Sequence, residues 1–557
     1  MTDTSSPAVA SPSAPAPAAA SPAGVQIVRG ELQPWTDYSG YRAPAGGEPL
    51  LALLDDLLPA TAGRALIAGP HAAPLVELVA SRAAALTVLV RSVSDAQELR
   101  VAVPAGHVTV ITGALDGLVD VPAFDVVIAA DGLDRVLGAD SPALDWPARW
   151  AELRRLATAD ALVVVAVENE FALTGLYDRR PVDARHGDDE WRPLHDDPAR
   201  PTSPRHVAAA LGERVTRLYA TFDAAGVSHT LLDAAAAGSA RPGRPGARFA
   251  VTGLAASAAH TPLLGPVADG ADAAARAGLL AAVAPAWLAV LGSGGAIHTA
   301  YASVGSSVLL ADLDESEWTL SVRGDSSLGT PARLPDTESA ETLFFRLAAA
   351  EDVPGFRALA GRLGAWAGLG DGVILLDDLY PEGDEFVRGL TRPAGEDDSA
   401  ALLAAAYHRL RDRLVRAHRR HPWPPWMTST DDLVVTWLGM SGVTDNPGAV
   451  ARGREIADGL AEPAGDEPDL RTIVADAAGD RQRATELAGK VFGLERTMRF
   501  RDQSLRTREQ QIRTMRDELR QLRNSPAMRL HEVTKKVAKV RHPRAFARAL
   551  KRRILKS

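Results

Sequence analysis

Two histidines in an acid-rich stretch are the side chains best suited to moving a proton. His186 and His195 lie between Phe171 and Ser203 among Asp183, Asp188, Asp189, Glu190, Asp196 and Asp197. Imidazole titrates near neutrality, so either can act as a general base toward a hydroxyl or an amine; His186 is the first candidate and His195 the second. Without that role the stretch is a solvated acidic loop. It has no compact ligand motif, so no metal site is expected in it. A second set of residues sits where short apolar runs end. Gly69, in Ala65-Leu-Ile-Ala-Gly-Pro-His71, marks a turn at which the backbone can approach a ligand closely. Ala68 and His71 flank it, Ser92, Asp116 and Asp131 follow the next three apolar runs, and Glu168 and Asn169 follow a fourth. No Walker-type phosphate loop and no Gly-x-Ser-x-Gly elbow occurs. Asp125 and Asp131 are spaced wrongly for an Asp-x-Asp metal site. The chain has no cysteine, which excludes disulfides, thiolate zinc sites and a cysteine nucleophile.

These positions need elements to hold them. Apolar runs at Arg64–Ala68, Leu86–Val90, His107–Thr112, Phe124–Ala130 and Ala161–Val167 alternate with helical patterns, notably Ala72–Ala84 and Trp146–Leu156. Continuous apolar strands between helices predict a parallel sheet covered on both faces. A helix is expected over Glu48–Leu58. Two later runs, Arg214–Phe222 and Ala247–Thr252, are expected to complete the sheet, with Gly238–Gly246 as an exposed loop. In an open α/β sheet a ligand lies beyond the carboxyl ends of the strands, where the strand order reverses.

The order of these runs over Pro49–Thr252 resembles class I S-adenosylmethionine-dependent methyltransferases. The Val167-Glu168-Asn169 tripeptide resembles the same position in methyltransferase-like proteins of cell-surface polysaccharide biosynthesis. The resemblance implies an α/β, Rossmann-like methyltransferase domain over 47–255. It places S-adenosyl-L-methionine against Ala68, Gly69, His71, Ser92, Asp116 and Asp131, with substrate at Glu168 and Asn169. Gly69 matches the family's first glycine, and Asp131 follows the best-matching run. Leu66 or Ile67 stands at the acidic position, and His71 at the second glycine. Arg91 or Ser92 stands where a carboxylate would hold the ribose, and a guanidinium cannot accept those hydrogen bonds. Two functions follow: a methyltransferase acting on a sugar or glycan precursor, or a non-catalytic methyltransferase-fold scaffold in a glycan-assembly complex.

The 557 residues exceed one core, and 46% hydrophobic with 24% charged residues suits globular protein. Residues 1–24, rich in Ala, Pro and Ser, are expected to be disordered. An α+β region is expected over 256–458, with strands at Ser306–Leu313, Trp318–Arg323 and Val373–Leu376 and helices at Ser339–Ala349 and Ala400–His418. Trp287–Leu291 and His421–Trp426 are expected to be packing and turn elements. Over 470–524 a coiled-coil helix is predicted: Val491, Met498, Leu505, Ile512 and Leu519 repeat every seventh residue. Leu487, Leu494, Met515 and Leu522 fill the complementary positions, and Arg501 and Arg508 interrupt them. Residues 487–522 should therefore meet a second copy or a partner helix. The segment 525–557 carries eleven Lys/Arg against one acid, within a chain of net charge -9. Its apolar stripe points to an anionic membrane surface for 527–557 rather than nucleic acid. The N-terminus lacks a secretory pattern and no run is long enough to span a bilayer, so the expected location is cytoplasmic, peripheral at the inner face of the membrane.

Overall fold

Each early strand of the computed structural model faces two cores at once. Leu66, Ala68, Val127, Ala129, Val163 and Val165 point into one, and Ala65, Ile67, Val126, Ile128, Val164 and Ala166 into the other. That double burial is why these runs read as continuously apolar. The structure describes residues 25–32, 35–39, 42–180, 197–212, 214–224, 226–258, 261, 263–292, 294–295, 297–324, 331–367, 372–390, 397–444, 446–460 and 470–540.

The strands are β1 (Gln26–Ile27), β2 (Ala62–Ala68), β3 (Ala83–Val90), β4 (Val108–Thr112), β5 (Phe124–Ala129), β6 (Ala157–Glu168), β7 (Val215–Ala224) and β8 (Val227–Asp233). After them come β9 (Ala286–Leu291), β10 (Ala300–Val304), β11 (Ser307–Asp314), β12 (Glu317–Arg323) and β13 (Arg333–Pro335). All thirteen form one sheet in the order β1-β4-β3-β2-β5-β6-β9-β7-β8-β10-β11-β12-β13. The pairings from β1 through β6 are parallel. The order reverses between β2 and β5, which makes their carboxyl ends the switch point. β9 runs antiparallel to both neighbours, β6 and β7. The dinucleotide-binding order, in contrast, is built from two βαβαβ halves. From β7 onward every pairing is antiparallel. Helices Glu48–Leu57, Ala73–Arg82 and Val93–Ala102 cover one face. Trp146–Arg155, Pro204–Leu211, Pro245–Ala258 and Val267–Ala277 cover the other.

Several expectations change. Ala247–Thr252 lies inside the helix Pro245–Ala258: Ala247, Ala250 and Leu254 are buried at helical spacing. Trp287–Leu291 is β9, a central strand rather than a packing element. Val373–Leu376 forms no strand, and Leu376–Asp378 is a single 3-10 turn. The strands expected at Ser306–Leu313 and Trp318–Arg323 are present as β11 and β12, but they extend the first sheet. The region 256–458 is thus not separate from 47–255 in its strands. Its helices Ala340–Ala349, Val353–Ala367, Ser399–Arg416 and Asp432–Met440 enclose their own core around Phe344, Phe356, Tyr407 and Trp437. A two-stranded ribbon, β14 (Leu379–Glu382) with β15 (Glu385–Arg388), borders that core.

A second unit begins at Leu470. It consists of the helix Leu470–Asn524 and the helix Pro526–Val540. Among the described residues no helix is long and apolar enough to cross a membrane.

Candidate functional site

The carboxyl ends of β4, β3 and β2 are met in turn by a strap formed of residues 25–32, 35–39 and 42–46. β1 pairs with β4, and the Val28 amide donates to Thr112 at 2.8 Å. Leu32 donates to the Arg91 carbonyl at the end of β3, 2.9 Å. Ala45 donates to Pro70 beyond β2, and Ala72 donates back to Ala45. Gly46 and Ser228 then tie the segment to the start of β8. The fit is close enough to require glycine. Gly30 has φ +92°, and a Cβ on Gly138 would overlap the Gly30 carbonyl.

Buried charge fixes this strap. Arg91, 1% exposed, grips Asp37 with two parallel hydrogen bonds of 2.9 and 2.6 Å and donates to the Leu137 carbonyl. Trp35 adds an indole bond to Asp37 at 3.0 Å, and the Asp37 amide donates to Asp95 at 2.7 Å. Asp131 accepts two bonds from Arg135, 2.8 and 2.5 Å. Arg135 in turn donates to the strap carbonyls of Asp37 and Ala43. Burial would raise the Asp131 pKa, but Arg135 and Arg42 hold it below the ordinary carboxylate value.

The residues expected to hold a cofactor are brought together here, and the chain itself uses them. Gly69 has φ +92°, as its turn demands, and the space beside it holds the Val136 and Asp131 side chains. Ala68 is fully buried at the end of β2. His71 is also fully buried; its Nε2 accepts from the Ala130 amide at 3.0 Å, so its Nδ1 carries the proton and donates to the Gly69 carbonyl. Burial lowers its pKa and keeps it neutral. The ring therefore joins the ends of β2 and β5. Ser92 caps the helix Val93–Ala102 by accepting from the Asp95 amide, and its hydroxyl donates to the Trp35 carbonyl. Asp116 is ion-paired with Arg29 and accepts from Ser141 at 2.6 Å.

The expected substrate residues are engaged as well. Glu168 pairs with Arg42 of the strap at 3.1 Å. Asn169 is buried, donates to the Ala282 and Ala284 carbonyls and accepts from the Phe171 amide. It anchors the chain leading into β9. His186 and His195 lie outside the described residues; their neighbour Asp197 is buried and pairs with Arg149 at 2.6 Å. Among the described residues no cluster of His, Cys, Asp and Glu could hold a metal.

What remains between Arg42, Asp131, Glu168, Thr221, Asp223 and Ser228 is a cavity of about 20 Å³. That is room for one water, whereas small-molecule and cofactor sites run to roughly 300–1,000 Å³. Burial pushes the Asp223 carboxyl up to about 6. Among the described residues, those at the switch point do not fit S-adenosylmethionine. Sequence reasoning found the switch-point residues but missed Asp37, Arg42 and Arg135. The one signal was Arg91 itself, a cation where a ribose-binding carboxylate was expected.

No family model matches the chain, and no curated protein matches it. Solved structures similar to it include the N-methyltransferase NodS from Bradyrhizobium japonicum WM9 in complex with S-adenosyl-L-homocysteine. That match has 13% identity over 22% of this chain and 60% of NodS, with a TM-score of 0.18. A SAM-dependent methyltransferase from Thiobacillus denitrificans, also with S-adenosyl-L-homocysteine, matches at 17% identity over 25% of this chain and 53% of that protein, TM-score 0.19. The CcbJ methyltransferase from Streptomyces caelestis matches at 18% identity over 24% and 54%, TM-score 0.18. A putative Zn-dependent alcohol dehydrogenase from Rhodobacter sphaeroides scores equally, at 17% identity over 24% and 52%. The chain spans less than two thirds of each of these proteins. The doubly wound fold accordingly rests on the strand order.

Proposed function

We propose that this chain is a non-catalytic protein of methyltransferase-like fold, a scaffold whose cofactor position is taken by its own strap, residues 25–32, 35–39 and 42–46. One observation carries the reading: the buried Asp37–Arg91 pair, with Arg135 on the strap carbonyls, occupies the strand ends where the cofactor would lie. Lifting the strap would break the Arg91–Asp37 pair and take Arg42 from Asp131, which keeps Arg135; loss of one partner of a buried pair costs several kcal/mol. The strap is therefore an integral layer of the fold and not a lid. The glycan-assembly setting rests on Glu168-Asn169 alone, and both residues are engaged in holding the fold. Titration calorimetry of the full chain with S-adenosylmethionine and with S-adenosylhomocysteine tests the reading. No saturable heat is expected; a Kd tighter than about 1 mM, some 4 kcal/mol of binding, would refute the closed position.

A further inference from the structure

The helix Leu470–Asn524 carries one apolar stripe that its own unit leaves uncovered. Val491, Met498, Leu505, Ile512 and Leu519, at heptad positions a, are between 47% and 66% exposed. Leu487, Leu494, Met515 and Leu522, at positions d, are between 55% and 65% exposed. We infer that this stripe is the seam of a parallel, in-register two-stranded coiled coil with a second copy of the chain.

The charges around the stripe choose the occupant and its direction. Both interruptions of the d row have the same form: Arg501 at d is followed by Asp502 at e, and Arg508 at d by Glu509 at e. In a parallel pair a d side chain enters a hole whose rim includes the facing helix's e residue. Arg501 then meets the partner's Asp502, and Arg508 meets the partner's Glu509. The long arginine stems cover the seam while their guanidinium groups reach those rim carboxylates. The g-to-e pairs agree, because Lys490 faces the partner's Glu495 and Glu518 faces the partner's Arg523. An antiparallel pair that keeps its layers apolar brings e against e. Asp502 would then face the partner's Asp502, and Glu495 the partner's Glu509. β-Branched Val491 and Ile512 fall at a and leucines at d, the pattern that favours two parallel strands over three or four.

The full chain tests this in two ways. Its lack of native cysteine makes Ile512→Cys a clean reporter. Mild oxidation should link nearly all Ile512→Cys chains into dimers, since residue 512 faces itself only in the parallel register. Sedimentation should give twice the chain mass before oxidation. A monomeric mass, a trimer, or cross-linking found only when Leu494→Cys is mixed with Ile512→Cys would overturn the inference. In the second test, Asp502→Lys with Glu509→Lys should weaken the dimer about tenfold. Mixing that variant with Arg501→Glu/Arg508→Glu chains should restore association as a heterodimer. Failure of the mixture to associate better than either variant alone would also overturn it, and neither outcome bears on the closed cofactor position.

Discussion

Replacing Asp37 with alanine tests whether the strap belongs to the fold. The substitution removes both carboxylate oxygens from Arg91, leaving the guanidinium 1% exposed with the Leu137 carbonyl still in reach. Breaking one side of a buried ion pair costs about 3–5 kcal/mol, against roughly 5–15 kcal/mol for the stability of a whole domain. The Trp35 indole also loses its 3.0 Å acceptor. The urea midpoint, read by tryptophan fluorescence, should therefore fall steeply at unchanged slope. Asp37→Leu with Arg91→Met removes both charges together and should regain most of the loss, because apolar replacement of a whole pair is close to neutral. A destabilisation below about 1 kcal/mol in the single variant, or saturable S-adenosylmethionine binding on its introduction, would refute the integral strap and favour a displaceable one.

His71→Gly should cost about 3 kcal/mol in urea unfolding, since the Ala130 amide loses its acceptor in a closed interior. It should not create cofactor binding, and calorimetry that detects such binding would count against the structural role of the ring. Asp223, whose pKa is raised from 3.8 to about 6 by burial, holds a proton in the folded state that the unfolded chain releases between those values. Its contribution is then lost as pH rises through that window, so Asp223→Asn should be the more stable protein at pH 7.5 by about 3 kcal/mol and close to the parent near pH 4. Thermal unfolding at the two pH values checks this, and a gap independent of pH would refute it. Finally, the full chain should co-sediment with anionic but not neutral vesicles, while a chain ending at Asn524 should not, at roughly 1 kcal/mol per basic side chain near the surface. Leu530, Val533 and Val537 supply the exposed apolar face of the helix Pro526–Val540; equal binding by both chains would end that reading.

The parallel strands were legible in the sequence because two buried faces leave no polar residue to break Ala65–Ala68 or Ala161–Val167. The long helix was legible because its heptads repeat. What stayed hidden was non-local. Asp37 and Arg91 are 54 residues apart, and nothing periodic in the sequence marks the strap as a layer over the strand ends. The run Trp287–Leu291 is too short for periodicity to show whether it packs or pairs. Ala247–Thr252 failed similarly, since a short apolar run suits a buried helix as well as a strand. At the site, residue types such as Arg91 and His71 read as departures from a cofactor grip. Their new partners could be seen only once the strap was in place.

The position of β9 also sets the order in which the molecule can be built. Strands β6 and β7 are neighbours only through β9, so on emergence from the ribosome β6 remains an open edge until Ala286–Leu291 has been synthesised. An unpaired apolar edge is a template for association with other chains. Pairings so distant in sequence close slowly, because loop entropy is spent before contacts form. A nascent chain stopped after the helix Pro245–Ala258 would hold every parallel strand yet have no means of completing its sheet. Completion of the sheet must wait for β9, and holdase chaperones have their longest opportunity in that interval.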